Sequence, residues 1–447
     1  MNRRSTRLVA LGLSAGLAAV ALAGCAPSSG DGEGDGVTLT WWHNATSGPL
    51  PAVWEEVANE FEEAHPGVTV EQTGYQNEEL QRTLIPNALA SGDAPDLFQV
   101  WPGGELRDQV ENEYLMPLDD AIPDTISSVG ATVNPWQVDG KTYGIPFTFG
   151  IEGFWYNTEQ FAQAGIDAPP TTLDELVDDV AKLRGAGFTP IAVGAGDKWP
   201  AAHWWYQFAL HSCSPETIQT AVDEYDFSDD CWVDAGDQLE EFLGINPFQE
   251  GFLGTPAQQG AGSSAGLVAN GQASMELMGH WNAGTIGGLT ADQQVPGFLG
   301  WFPFPGIPGS AGDPTAALGG GDGFGCSKDA PPECAELLAY IMSEDVQKRF
   351  AASGSGIPTV PSATDSLEDE NLKAVAVGLG EASFVQLWLD TAFGTTVGNA
   401  MNEGIVNLFG GAGTPEDIVK AMQDAAATAS AAPRTRRRSA PICSPTS

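Results

Sequence analysis

The chain has 447 residues, 42% of them hydrophobic and 9% aromatic, which supplies full cores and exceeds one small domain, so two domains or two lobes are expected. Acidic residues outnumber basic ones 59 to 18; all 59 lie between Asp31 and Asp424, where only 11 of the bases fall, so the body itself carries −48. Such a field repels nucleic acid and anionic ligands and favours a neutral or cationic one, while saying little about fold.

The N-terminus has three parts: Arg3, Arg4 and Arg7, then an apolar run from Leu8 to Ala23, then small residues and Cys25. That is the layout of an export signal. The apolar run is short for a spanning helix, which needs roughly 20 residues. Its ending, Leu22-Ala23-Gly24-Cys25, resembles a bacterial lipobox. The resemblance implies that residues 1–24 are a cleaved lipoprotein signal peptide. It also implies that Cys25 carries the lipid anchor and that the exported protein sits on the outer face of the cytoplasmic membrane. Two acyl chains on one residue hold where one is marginal. Residues 25–36, the cysteine and APSSGDGEGDG, read as a flexible tether reaching roughly 18 Å.

The body opens with alternating strands and helices. Val37 to Trp42 is β-branched and aromatic, a strand. Trp54, Val57, Ala58 and Phe61 follow at helical spacing, and His65-Pro66-Gly67 stops that helix. Val68-Thr69-Val70 starts a second strand. Leu80, Leu84, Ala88 and Leu89 mark a second helix, which Pro86 is expected to kink. Asp96 to Val100 is a third strand, ending at Trp101. This alternation predicts a parallel sheet whose ligands sit beyond the carboxyl ends of the strands. A second α/β unit begins near Gly150, with a strand at Gly153 to Asn157. A helix follows, opened by a Thr172…Glu175 capping box and closed by Gly185. Pro190 to Val193 is a buried strand, and Gly196-Asp197-Lys198-Trp199-Pro200 is a loop. A helix over Glu333 to Phe350 and another capped by Thr414 with Pro415 at its first position complete the pattern. No internal repeat is evident.

Of six cysteines, Cys25 belongs to the lipobox and Cys443 to a basic, Ser/Pro-rich tail, residues 433–447, which reads as disordered or artefactual. The other four, Cys213, Cys231, Cys326 and Cys334, are expected to form disulfides in an exported protein. Three pairings are open; the local one, 213 with 231 and 326 with 334, is expected. No spacing suggests a metal site, and no cofactor is expected.

The segments LTWWHNATSGP, FEEAHPGVTV, APDLFQVWPGG, YGIPFTFGIEGFWYNTEQFAQAGI, PPTTLDELVDDVAKLRGAGFTPIAVGAGDKWP, NGQASMELMGHW and LGGGDGFGCSKDAP resemble, in order and spacing, the extracellular solute-binding proteins, family 1. This is the sugar-binding group of ABC importers that includes maltose-binding protein. The resemblance implies an α/β, two-lobed periplasmic-binding-protein type II fold with hinge-connected lobes and a central ligand cleft. One lobe would hold residues 37–145 with 320–365, the other 150–318 with 366–430. It implies no enzyme but a monomeric receptor. Its partners would be an oligosaccharide ligand, the ABC permease subunits and, through the lipid, the membrane.

Thirteen tryptophans point to the site. A lone tryptophan is more often core, but Trp42, Trp101, Trp199, Trp205 and Trp281 each fall at or just past an element end. Polar or Gly/Pro residues lie beside them. Sugar C–H faces pack on indoles while hydroxyls need in-plane donors and acceptors, here His43 and Asn44 beside Trp42 and Lys198 beside Trp199. The resemblance adds Trp388. In Gly319-Gly320-Gly321-Asp322-Gly323 the glycines would let backbone approach a ligand, and Asp322 could accept from two hydroxyls. Trp54 and Trp155 are expected in the core. The GDKWP and WWHN segments resemble those of proteins binding short plant-polymer oligosaccharides such as xylobiose.

Other signals carry less. Gly262-Ser263-Ser264-Ala265-Gly266 matches the serine-hydrolase pattern GxSxG, but no strand precedes it. A glycoside hydrolase would need two carboxylates across a scissile bond, and Glu105, Glu152 and Asp322 could only be forced into that role. A surface glycan-binding adhesin is the other alternative.

Overall fold

The computed structural model describes residues 36–430. The signal segment, Cys25 with most of its tether, and the 433–447 tail lie outside the described residues.

Two sheets organise the body. The strands are β1 Val37–His43, β2 Val68–Gly74, β3 Leu97–Val100, β4 Gln137–Val138, β5 Lys141–Thr142, β6 Ile145–Ile151, β7 Gly153–Asn157, β8 Ile191–Ala192, β9 Met275–Met278, β10 Leu299–Pro303, β11 Ala317–Cys326 and β12 Val385–Leu387. The first sheet runs β12-β11-β3-β1-β2, with β6 on the other edge of β11; the second runs β10-β7-β9-β8. β4 and β5 form a separate small ribbon. β1 is parallel to both β2 and β3, as the strand–helix alternation predicts. In the second sheet β8 and β9 are parallel while β7 is antiparallel to β9 and β10.

The helices form where apolar spacing demands, with three local corrections. The helix Leu50–Ala64 buries Val53, Trp54, Val57, Ala58 and Phe61 against the first sheet. Around Pro86 the chain does not simply kink: a π-helical turn over Leu80–Leu84 precedes the α-helix Ile85–Ser91. Proline offers no N–H and crowds the carbonyl four residues back, and the wider turn absorbs both. The expected helix Glu333 to Phe350 is two, Glu333–Ile341 and Glu344–Ala352, because the Ser343 hydroxyl caps the second by accepting from Val346 N–H. Gly185 is still helical, and the left-handed turn comes at Gly187. The Thr172 capping box stands as expected, and Thr414 caps its helix, its hydroxyl accepting from Asp417 N–H while Asp417 accepts from Thr414 N–H.

Three cores result. Around the first sheet, Trp41, Trp54, Phe61, Phe147, Phe324 and Phe350 interlock, Trp54 meeting Phe147 edge-on at 5.2 Å. A second core joins helices Trp199–Ser212, Cys231–Gly244, Thr395–Phe409 and Pro415–Ser430, with Leu318 of β11 and Leu389 beyond β12 entering it. The third, with Phe98, Trp155 and Met278, lies where the sheets approach each other. Trp155 is buried, and its indole N–H reaches the carbonyls of Met278 and Gly279. The disulfides are Cys213–Cys231 and Cys326–Cys334, the local pairing.

The chain passes between the sheets at Glu152, the single residue separating β6 from β7. It returns between β10 and β11. No described helix is long and apolar enough to cross a membrane.

Candidate functional site

A cleft, about 890 Å³ when the open solvent at its mouth is included, lies beyond the strand ends of both sheets. Asn44 follows β1, Trp101 follows β3, Trp199 comes after β8, Trp281 after β9 and Trp388 directly after β12; all five line the cleft. The carboxyl-end rule for α/β sheets thus puts four indoles and one asparagine from five short connections around one space.

Three of the indoles make a wall. Trp281 lies 6.2 Å from Trp199 and 5.4 Å from Trp388, centroid to centroid. His203 stacks on Trp388 at 5.7 Å and 14° and sits 5.1 Å from Trp199. The indole nitrogens of Trp199, Trp281 and Trp388 are buried without a hydrogen-bond partner. Trp101 lines the same cleft with Asn44, Asn77, Gln81 and Asp322.

The polar edge is held in a relay. Gln99 accepts from Asn44 backbone N–H at 3.0 Å and donates to Asp322 Oδ1 at 2.9 Å, while the Asn44 side chain donates to Asn77 at 2.9 Å. Loss of solvent pushes the Asp322 carboxyl up to about 6, against the pull of hydrogen bonds from Gln99, Trp101 and Asn44. Asp322 stands where β11 shifts register against β6.

At one end Asp390 enters the cleft lining, paired with Arg82 at 2.6 Å; Arg82 also reaches Glu105 at 3.3 Å. Asn402 donates to Asp390 at 3.1 Å, and Tyr206 donates to Asn402. The cleft therefore presents carboxylates, amides and hydroxyls, and the guanidinium behind them is already occupied by two acids.

The expected residues fall into two groups. Asn44, Trp101, Trp199, Trp281, Asp322 and Trp388 meet at the cleft; Trp42, His43, Lys198 and Trp205 do not. Trp42 packs edge-on against Tyr75 at 5.2 Å. His43 is buried: its Nε2 bonds Gln72 Oε1 at 2.6 Å and its Nδ1 accepts from Ala45 N–H. Burial lowers its pKa to about 4, so it is neutral. Lys198 caps the helix Trp199–Ser212 at φ +61 through its backbone, with Ala201 and Ala202 donating to its carbonyl. Trp205 is fully buried and stacks on Trp232 at 5.9 Å. It stands six positions after Trp199, about 240° round the helix, and so faces the core. His203, four positions after Trp199, shares the cleft face instead. That spacing was the available signal for His203; Asp390 and Thr391 needed the tertiary structure.

The glycine run before Asp322 does not bring backbone to the cleft. A Cβ on Gly320 would stand 2.6 Å from the Trp388 ring, so its missing side chain makes room for that indole. Of the three carboxylates considered for glycoside hydrolysis, only Asp322 lines the cleft; Glu105 is engaged by Gln81 and Arg82, and Glu152 by His203 and Gln207. Ser264 is buried, donates to Ala257 carbonyl at 3.1 Å, and stands at a helix start rather than on a strand-to-helix elbow.

Two sheets facing one cleft of indoles, amides, hydroxyls and carboxyl groups define a two-lobed α/β binding protein. Over residues 44–348 the chain matches the bacterial extracellular solute-binding protein family, and it belongs to that family. It is 25% identical over 308 residues to the multiple sugar-binding protein of Streptococcus mutans, spanning 65% of this chain and 68% of that one. It is 31% identical over 212 residues to a binding protein of Brucella abortus, a match of 46% of this chain and about half, 48%, of the relative's length. Among solved structures it is similar to a chitin oligosaccharide binding protein, with a TM-score of 0.81 and 25% identity over 89% of this chain and 100% of the other. A structure from a study of xylan utilization by Caldanaerobius polysaccharolyticus shares the fold at a TM-score of 0.79 and 24% identity, covering 87% of this chain and 99% of that one.

Proposed function

We propose that this chain is the substrate-binding component of an ABC sugar importer. It captures a neutral oligosaccharide by aromatic stacking in the cleft and delivers it to a membrane permease. The observation that supports this reading most is the convergence of Trp101, Trp199, Trp281 and Trp388 with Asn44, Asn77, Gln81 and Asp322 on one space. Indole faces suit the C–H faces of sugar rings, and the amides and carboxyl suit their hydroxyls. A neutral ligand follows from the acids in the lining and from Arg82 being held by Asp390 and Glu105. The sugar-binding name of the Streptococcus relative and the chitin-oligosaccharide name of the structural neighbour point the same way.

In this reading the lobes are residues 37–145 with 320–365 and residues 150–318 with 366–430. A ligand that touches both at once stabilises the closed arrangement by its differential affinity for it, and the closed form docks on the permease. The protein works as a monomer held outside the cell by lipid on Cys25.

A thermal-shift screen over neutral mono- and oligosaccharides, chitin and xylan fragments included, tests the ligand class. At least one should raise the melting temperature, and calorimetry should give one-site binding; no shift with any of them would sink the reading. Breakdown of the sugar to new reducing ends would point to a hydrolase instead. Cys25→Ser should move the protein from the membrane fraction into the medium, and its retention would contradict the anchor.

A further inference from the structure

Beneath the Trp281 wall lies a carboxyl group that the cleft does not use. Glu276 sits within β9, buried, with Trp155 of β7 and Ala192 of β8 as its register neighbours. Its Oε2 accepts from the Asn282 side-chain amide at 3.0 Å. Its Oε1 is buried without a partner, and so is Asn282 Oδ1. Two planar groups, a carboxyl and a carboxamide, therefore share one N–H···O bond, and each keeps a second, unpartnered oxygen. Two acceptors cannot satisfy each other, whereas one proton between them satisfies both. With that proton on Oε1, Glu276 donates to Asn282 Oδ1 and the pair closes as a ring of two hydrogen bonds.

The surroundings supply no charge that would keep Glu276 ionised. Trp155 gives its N–H to the carbonyls of Met278 and Gly279. The Ser264 hydroxyl, on the helix Ser264–Ala269, donates to the Ala257 carbonyl at 3.1 Å and lies within reach of Glu276. Asp197, in the turn after β8, is held by Ala257 N–H at 2.8 Å, and the charge of its neighbour Lys198 acts on Glu78. His280, on the same chain segment, bonds Thr148 at 2.9 Å and is kept neutral by burial, with a pKa lowered to about 3. Loss of solvent pushes Glu276 itself up to about 8, against hydrogen bonds from Ser264 and Asn282.

Asn282 is the first residue of the helix Asn282–Gly288, and Trp281 is its cap. We propose that Glu276 is a positioning residue, held as a neutral carboxylic acid whose cyclic pair with Asn282 fixes this first turn and with it the Trp281 face offered to the ligand. The ligand part of this role rests on the sugar-binding reading above. Ionisation leaves the buried carboxylate facing Asn282 Oδ1, opens the ring and frees Trp281.

Two readouts test it. The infrared difference between wild type and Glu276→Gln at about pH 6 should contain the carbonyl stretch of a protonated carboxylic acid, which fades as pH rises through about 8. Absence of that band overturns the proposal whatever any sugar does. Titration with N,N′-diacetylchitobiose should give wild-type affinity that falls about tenfold between pH 7 and pH 9, the worth of one buried hydrogen bond. In Glu276→Gln it should stay flat, because the amide donates to Asn282 at every pH. A wild-type profile as flat as the variant's would overturn the positioning role. A Glu276→Gln protein that failed to fold would also count against it, since glutamine reproduces the size and the donor of the neutral acid. A protein that shows the band but binds no sugar in the screen would remove the transport reading, and the positioning role with it, leaving only the protonated pair.

Discussion

Trp199 and Trp205 share one helix, and the six positions between them separate cleft surface from core. Truncating each should therefore fail differently. Trp199→Ala, like Trp281→Ala, should weaken sugar binding by about 1–3 kcal/mol, the burial of a stacked side chain, with a modest change in melting temperature. Trp205→Ala should cost about 3–5 kcal/mol of folding stability by denaturant titration, because it empties the face stacked on Trp232. Unchanged affinity in both cleft variants by calorimetry would remove these indoles from the site. Asp322 gives a pH signature. Its folded-state pKa, about 6, lies above the ordinary 3.8. The native state thus holds a proton that the unfolded chain has lost, and the destabilisation sets in as pH rises from about 4 to 6 and is constant above. Asp322→Asn, which keeps an oxygen for Gln99, should gain melting temperature relative to wild type across that window and hold the gain above it; no trend would contradict the raised value.

Elements were legible where one short signal controls them. β1 and the helix after it follow from the Val37 to Trp42 run and the Trp54-Val57-Ala58-Phe61 spacing, and the Thr172 capping box sits where its four residues place it. The break at Ser343 was less visible, because Cys334 to Phe350 keeps an apolar rhythm across it and the stop is a single hydroxyl bonded to Val346. Ser343→Ala should cost about 1 kcal/mol of stability by chemical denaturation, the usual worth of such a cap. The π turn before Pro86 answers a clash between proline and its own helix, which a sequence announces only as a proline. Both disulfides join near neighbours in sequence, and reducing Cys213–Cys231, which closes 18 positions, should remove about 3 kcal/mol. A melting temperature unaffected by reductant would contradict the bonds. The site was half legible: strand ends exposed Trp101, Trp199 and Trp281, whereas Asp390 reaches the cleft only because β12 joins β11 across a long gap in sequence.

At the scale of the whole molecule, charge opposes compactness. A body with 59 acids and 11 bases repels itself, since so few bases can pair with only a minority of the acids. Raising ionic strength from about 0.01 M to 0.15 M shortens the screening length to about 8 Å and should raise the melting temperature. A fall would mean that paired charges such as Arg349 with Glu60, at 2.6 Å, outweigh the general repulsion. The parallel trio β1, β2 and β3 was predictable from the alternation of elements, but the antiparallel β11 and β7 and the crossing through β6 were not. Every residue from Ile145 to Ile151 is buried, so the strand shows none of the in–out alternation by which an edge or surface strand is recognised.

That crossing ends at Glu152, whose carboxylate grips His203 and Gln207. His203 lies flat on Trp388 and touches Trp199, so the joint between the two halves is bolted to the aromatic wall. In the proposed receptor a swing of the lobes about this crossing would turn the indoles with it, and a grip loosened at Glu152 would uncouple the crank from the handle.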